Sequence, residues 1–76
     1  MIGNKIKALL NIKGKSSNDA CQSLNIMQSA YSRKLSKNTF KTEELIQLAI
    51  LTNTRLAFID EENNPIIVFN KDDIKK

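Results

Sequence analysis

The 76-residue sequence contains no histidine, one cysteine and only two glycines. With Cys21 as its one thiol, a single chain can form neither a Cys/His zinc site nor an internal disulfide. The glycines do not form a phosphate-binding loop, because the ends of helices explain both Gly3 and Gly14. No pair of carboxylates has a spacing that would bring both to an inward face. We therefore expect a protein that is not an enzyme and that needs no cofactor or metal.

Long apolar runs are also missing, so the sequence predicts neither a signal peptide nor a membrane span. A lone cysteine fits a reducing compartment, and we expect a cytoplasmic protein without a membrane partner. Seventy-six residues allow one domain, which we assign to 1–76. Its small core would be marginal alone, and with disulfide and metal excluded, a partner subunit is the remaining means of stabilisation.

Positive charge is concentrated in the first half of the chain. Up to Lys41 there are eight basic residues and one acid, a net charge of +7, whereas the part from Thr42 onward carries −3. Such a one-sided basic field is typical of proteins that bind a polyanion such as nucleic acid. A solvated lysine surface that only keeps the protein soluble would give the same charge distribution.

The pattern of apolar residues over 1–54 predicts four helices. The first begins near Ile2 and ends at Gly14, and the second runs from about Ser17 to Leu24 with Ser16 as its N-cap and Asp19 three residues later. The third extends to about Ser36. The fourth starts at Thr42, with two acids in its first turn, and ends at Asn53 and Thr54.

The third predicted helix is unusually polar. Asn25, which tolerates a positive φ, predicts a sharp turn before it. Only Tyr31 and Leu35 recur at core spacing, while Gln28, Ser29, Ser32, Arg33 and Lys34 surround them. A helix this polar needs solvent or a ligand along its outer face.

The last third of the sequence predicts a β-hairpin over 55–70. Leu56–Asp60 and Ile66–Asn70 flank the turn-forming residues 61–65. Both faces of the hairpin are apolar, so one can pack on the helices while the other needs a cover, most simply a second copy of the chain. We expect residues 71–76 to form a charged tail that frays. The predicted dimer interface is Leu56, Phe58, Ile59, Ile67 and Phe69.

The stretch from Ser16 to Leu35 resembles the lambda-repressor-like helix-turn-helix proteins, also called the xenobiotic-response-element family. The resemblance covers about Ile2 to Asn53 and is most specific over 24–35, with Asn25 in place of the usual turn glycine and Met27 in place of a capping residue. Loss of that cap costs about 1 kcal/mol. The resemblance implies four helices followed by two antiparallel strands, a mainly α fold with a C-terminal β-hairpin that in small Cro-like members pairs two subunits.

Family roles can be carried over to matching positions of this sequence. The base-reading positions correspond to Gln28, Ser29, Ser32 and Arg33. The usual phosphate contact at the start of the second helix corresponds to Ser17, and Asn38 and Thr39 match a loop that often contacts the DNA backbone. We add the basic residues Lys34 and Lys37 to the predicted phosphate contacts.

Together these features predict a transcriptional regulator of phage or bacterial type, most simply a repressor, that binds double-stranded DNA as a homodimer on a palindromic site. The alternative is a protein-interaction module with the same fold, such as an antitoxin, an anti-repressor or a regulator of a larger factor. In that case a protein partner would dock on the acidic hairpin loop at Asp60, Glu61 and Glu62.

Overall fold

The computed structural model describes residues 2–74. Four α-helices are followed by a two-stranded antiparallel hairpin and a short 3₁₀ turn, which confirms the predicted class, mainly α with a C-terminal β-hairpin. The elements are α1 (Ile2–Ile12), α2 (Ser17–Leu24), α3 (Gln28–Lys37), α4 (Thr42–Leu51), β1 (Ala57–Ile59), β2 (Pro65–Val68) and the 3₁₀ turn (Lys71–Asp73).

A residue with positive φ follows each of the four helices. Gly14 (φ 67°) follows α1, Asn25 (φ 55°) α2, Asn38 (φ 61°) α3 and Asn53 (φ 56°) α4. Glycine and asparagine are the residues that enter this left-handed region at least cost, and they end helices by redirecting the backbone. The predicted helix ends at Gly14 and Asn25 are therefore confirmed.

The core lies where α1, α2, α3 and α4 meet. Cys21 and Tyr31 are both buried there, as predicted. The Tyr31 ring packs edge-on against Phe40, with 6.2 Å between the ring centroids. At the end of α4 the buried hydroxyl of Thr52 donates a hydrogen bond to the Leu48 carbonyl oxygen over 2.8 Å, so its burial leaves no unpaired donor. The other buried members of the core cluster are Ile6, Leu10, Ala20 and Leu48.

The hairpin is shorter than predicted, and most of its strand residues are exposed. Phe58 pairs with Ile67, and a bulge between Phe58 and Ile59 shifts the register by one residue. Phe58 and Ile67 on one face are 65% and 56% exposed, and Ile59 and Ile66, which the alternation assigns to the other face, are 56% and 62% exposed. The expectation that one apolar face packs on the helices is therefore wrong for these strands, and only Leu56, Ala57 and Phe69 at the base of the hairpin are half-buried.

The first residues of the predicted charged tail form a short 3₁₀ turn. The side-chain oxygen of Asn70 accepts a hydrogen bond from the Asp72 amide, and Asp73 accepts one from the Asn70 amide, both at 2.9 Å. This reciprocal capping forms the 3₁₀ turn, which packs against α4. Lys75 and Lys76, the end of the predicted tail, lie outside the described residues.

Gly3 is a contact between helices and not only a helix end. It is buried, and a Cβ atom built on it would lie 2.7 Å from the carbonyl oxygen of Leu35 in α3. Any side chain here would force α1 and α3 apart. The position of Gly3 near a helix start, which is the explanation that the sequence offered, does not account for this close contact.

Gly3→Ala should therefore destabilise the fold. Helix propensity alone would make alanine more stable by about 1 kcal/mol, but the clash with Leu35 should cost about 1–3 kcal/mol and reverse the sign. Denaturant unfolding of Gly3→Ala and of Asn11→Ala, an exposed control in the same helix, measures the difference. A Gly3→Ala protein more stable than the wild type would contradict the close approach.

Candidate nucleic-acid interface

The turn between α2 and α3 sets the direction of both helices. Asn25 adopts the left-handed conformation, its amide donates to the Gln22 carbonyl oxygen over 3.2 Å, and the Ile26 amide donates to Cys21 over 3.0 Å. These bonds satisfy carbonyl groups at the end of α2 and bring the half-buried Ile26 against the core. Met27 is extended and supplies no side-chain cap, and α3 begins at the next residue, Gln28.

Two opposite faces run along α3. Tyr31 is 2% exposed and Leu35 is half-buried, so the apolar side of the helix faces the core. At 100° per residue the exposed Ser29, Ser32, Arg33, Ser36 and Lys37 turn away from Tyr31 and Leu35, and Gln28, one turn before Ser32, is exposed as the first residue of the helix. None of the residues of α3 is acidic. We call this surface the α3 outer face; its exposed members are Gln28, Ser29, Ser32, Arg33, Ser36 and Lys37.

All four predicted base-reading residues, Gln28, Ser29, Ser32 and Arg33, belong to the α3 outer face. Serine, glutamine and arginine side chains carry hydrogen-bond donors, and serine and glutamine also carry acceptors. An exposed row of such groups can recognise the edges of base pairs, which present both kinds of partner.

Lys34 lies on the border of this surface and is ion-paired. Its Nζ atom is 3.0 Å from one carboxylate oxygen of Glu44 in α4 and 3.1 Å from the other. Glu44 also accepts a hydrogen bond from the Lys41 amide over 2.8 Å, which fixes the carboxylate at the start of α4. The ion pair joins α3 to α4. It neutralises the charge of Lys34, which was predicted to contact a phosphate group.

Sequence reasoning missed this pair. The two residues are ten positions apart on different helices, and the rules for charge pairs within one helix cover only separations of three and four. The sequence did show two acidic residues in the first turn of α4, but acids at that position are explained by the helix dipole and do not identify a cation partner.

The remaining predicted phosphate contacts lie at two places. Ser17 is exposed as the first residue of α2. Lys37, Asn38 and Thr39 are exposed where α3 ends, and the Thr39 amide donates to the Lys34 carbonyl oxygen over 3.2 Å. That amide belongs to the helix end, so a phosphate contact from Thr39 would use its hydroxyl group.

The N-terminus of α2 is closed by a capping box. The Ser16 hydroxyl accepts a hydrogen bond from the Asp19 amide over 3.1 Å, and the Asp19 carboxylate accepts one from the Ser16 amide over 2.8 Å. The predicted cap is confirmed. Because Ser16 has its amide occupied, a phosphate group at this end would meet Ser17 instead.

The residues predicted for the dimer interface divide into two groups. Leu56 and Phe69 are half-buried, whereas Phe58, Ile59 and Ile67 are exposed. The rings of Phe58 and Phe69 lie on the same face, with 5.8 Å between their centroids. Ile66 and Val68, which were not in the predicted set, are also exposed. We call the exposed apolar residues of the hairpin, Phe58, Ile59, Ile66, Ile67 and Val68, the hairpin patch.

Asp60 shapes the acidic loop at the tip of the hairpin. Its Oδ1 atom accepts hydrogen bonds from the amides of Glu62 and Asn64, both at 2.9 Å. The backbone hydrogen bond from Asn64 is the main reason that the pKa of Asp60 lies below its ordinary value. The role of Asp60 is therefore to hold the turn. Glu61 and Glu62 are exposed beside it.

Other kinds of site are not evident in residues 2–74. In this part of the chain no three acidic or cysteine side chains are grouped so that they could hold a metal ion. Within the same residues each helix is too short or too polar to cross a membrane.

The capping box at α2 should make the free energy of unfolding depend on pH. The hydrogen bond from the Ser16 amide, and then the one from its hydroxyl, lower the pKa of Asp19. A lowered pKa in the folded state gives stabilisation that is fully present above the unfolded pKa, near 3.9, and is lost as pH falls through the folded value. Asp19→Asn should therefore be less stable than the wild type at pH 7, and the difference should shrink towards pH 3.

Urea unfolding of both proteins at several pH values tests this expectation. Glu61→Gln, which removes an exposed carboxylate from the hairpin loop, is the control. A stability difference for Asp19→Asn that stays constant from pH 7 to pH 3 would show that the charge of Asp19 has no part in the cap.

No protein-family model, curated protein or solved structure matches this chain. A function must therefore be inferred from the surfaces described above.

Proposed function

We propose that the chain is a sequence-specific double-stranded DNA-binding protein, a transcriptional regulator of the repressor kind, that inserts α3 into the major groove. The observation that carries the proposal is the α3 outer face, which is polar, free of acidic residues and exposed. The major groove is about 12 Å wide and accommodates one helix, and it presents donors and acceptors in a pattern that distinguishes all four base pairs. The helix-turn-helix resemblance of 16–35 supports the same conclusion.

Each base-reading residue has a characteristic partner. Arg33 can donate two hydrogen bonds to O6 and N7 of guanine, and Gln28 can pair in the same bidentate manner with adenine. Ser29 and Ser32 are short and accept or donate to either kind of base. In this proposal Arg33 and Gln28 therefore contribute most of the sequence preference.

Phosphate contacts would hold α3 in register. Lys37, Asn38 and Thr39 are exposed at the end of α3, Ser17 is exposed at the start of α2, and the net charge of +7 over 1–41 attracts DNA. Lys34 would have to leave Glu44 to bind a phosphate fully, so it contributes less than its charge suggests. The acidic residues of the hairpin loop, Asp60, Glu61 and Glu62, lie outside this basic part of the sequence.

The hairpin patch supports a homodimer. Five large apolar side chains on one small hairpin are more than 35% exposed, and no other described segment of the chain covers them. Pairing with a second copy would bury them through a self-complementary surface, together with the half-buried Leu56 and Phe69. A symmetric dimer would place two α3 helices on half-sites about 34 Å apart and would read a palindrome.

One observation favours the alternative of a protein-interaction module. The side chain of Asp60 fixes the hairpin turn through two amides, so that Glu61 and Glu62 stand on a preformed acidic tip. Such a tip can present its carboxylates to a basic protein surface without first ordering the loop. It would be unsuited to contact DNA.

Selection from a random duplex library at moderate salt, followed by competition with nonspecific DNA, distinguishes the two functions. The proposal predicts enrichment of a palindromic sequence. Recovered duplexes without a common sequence, bound no more tightly than the starting library, would refute the proposed regulator and leave the interaction module.

Arg33→Ala should weaken binding to the selected duplex by about 1–3 kcal/mol and relax the sequence preference at one base pair of each half-site. Arg55→Ala is the matched control, because Arg55 is the other arginine of the chain and is exposed outside α2 and α3. Equilibrium binding with a panel of single-base substitutions measures both effects. An Arg33→Ala protein with unchanged preference and only a smaller salt dependence would assign Arg33 to phosphate and not to a base.

Phe58→Lys should abolish the dimer, because it places a charge in the centre of the hairpin patch. Ile12→Lys is the control: Ile12 is 79% exposed at the end of α1, outside the hairpin. Sedimentation at micromolar concentration should show a dimer for the wild type and Ile12→Lys and a monomer for Phe58→Lys. A wild type that sediments only at 8.6 kDa would contradict the dimer.

A further inference from the structure

An open cleft of about 350 Å³ lies between α1 and α3, and its α1 wall has no part in the proposed contacts described so far. One wall is the N-terminal half of α1 and the other is the C-terminal half of α3. The residues that line it are Gly3, Asn4, Lys7, Ser32, Leu35 and Ser36, and none of them is acidic.

The close contact at Gly3 holds the two walls of this cleft together. Because Gly3 has no side chain, α1 approaches the backbone of α3 at Leu35, at a distance that would not admit a Cβ atom. Lys7 lies four residues after Gly3, one helical turn along the same side of α1, and Asn4 is its exposed neighbour in the cleft. The exposed amide of Asn4 and the ammonium group of Lys7 therefore line the cleft beside α3.

The cleft is continuous with the α3 outer face. Ser32 belongs to both, and Ser36 follows it one turn later. The Ser36 hydroxyl donates to the Arg33 carbonyl oxygen over 3.1 Å, and Ser32 is proposed to contact a base, which leaves Lys7 and Asn4 as the groups with donors for a backbone contact. A helix in the major groove is bordered by the phosphate backbone, and a cation with an amide donor beside it matches a phosphate group.

We propose that Lys7 and Asn4 of α1 form a phosphate-binding site for the DNA backbone that borders α3. The site adds α1 to the contact surface and compensates for Lys34, whose charge is already paired with Glu44. This inference rests on the proposed DNA-binding function and extends it to residues outside α2, α3 and the loop that follows α3.

The test measures the affinity of the full chain for the selected duplex and for random-sequence duplex as a function of salt. Lys7→Gln is compared with Lys5→Gln, which makes the same change two residues away: Lys5 is exposed and lines a different groove, towards Leu45 and Leu48 of α4. Asn4→Ala removes the amide without changing the charge. Thermal unfolding confirms that each variant is folded.

One lost phosphate contact removes about 0.9 from the slope of log affinity against log salt, or about 2 for a dimer with two such sites. Lys7→Gln should show this loss and bind both duplexes roughly fivefold more weakly per subunit near physiological salt, with its sequence preference unchanged. Asn4→Ala should bind more weakly with the slope unchanged. Lys5→Gln should lie closer than Lys7→Gln to the wild type, both in the salt dependence of binding and in affinity.

Equal slopes for Lys7→Gln and Lys5→Gln, with the wild type still selective for its duplex, would overturn the cleft site and leave the proposed function intact. A Lys7→Gln protein with an altered sequence preference would also overturn it, because Lys7 would then contact a base. If the wild type showed no preference for any duplex, the proposed function itself would fail and the cleft site with it.

Discussion

The orientation of α3 is the constraint on which the functional surface depends. Tyr31 and Leu35 are the residues that this helix offers to the core, and burying Tyr31 fixes the rotation of the helix about its axis. Once that rotation is fixed, Ser29, Ser32 and Arg33 must lie outside, and Gln28 is exposed as the first residue of the helix. The Lys34–Glu44 pair and the contact of Gly3 with Leu35 hold α3 against α4 and α1. A chain that stabilises one face of a helix in this way leaves the opposite face free for a ligand.

Much of the fold could be predicted from the sequence because the residues that begin and end its helices act on their immediate neighbours. Ser16 with Asp19 three residues later, the turn at Asn25 and the glycine at position 14 each act within a few residues, and each lies where it was expected. The separation of α3 into inner and outer faces follows from its 3.6-residue period. The four candidate base-reading residues come from the helix-turn-helix resemblance, and all four are exposed on α3.

The sequence could not show the contacts between elements that lie far apart along the chain. Nothing near Gly3 in the sequence indicates that α3 passes over it, and nothing near Lys34 indicates Glu44. The hairpin presents the same difficulty: alternating apolar residues predict its strands but not whether the helices reach them. Here Phe58 and Ile67 are exposed, so an apolar pattern that would normally indicate a core belongs to a solvent-facing surface.

The chain thus combines a basic half containing a polar outer helix with an acidic half containing an exposed apolar hairpin. The most direct test of the central claim is to record amide resonances of the protein during titration with the selected duplex. The account predicts that the changes concentrate on the α3 outer face and at Ser17, while 60–64 at the hairpin tip are unaffected. Changes confined to the hairpin tip, with those of α3 unmoved, would contradict it.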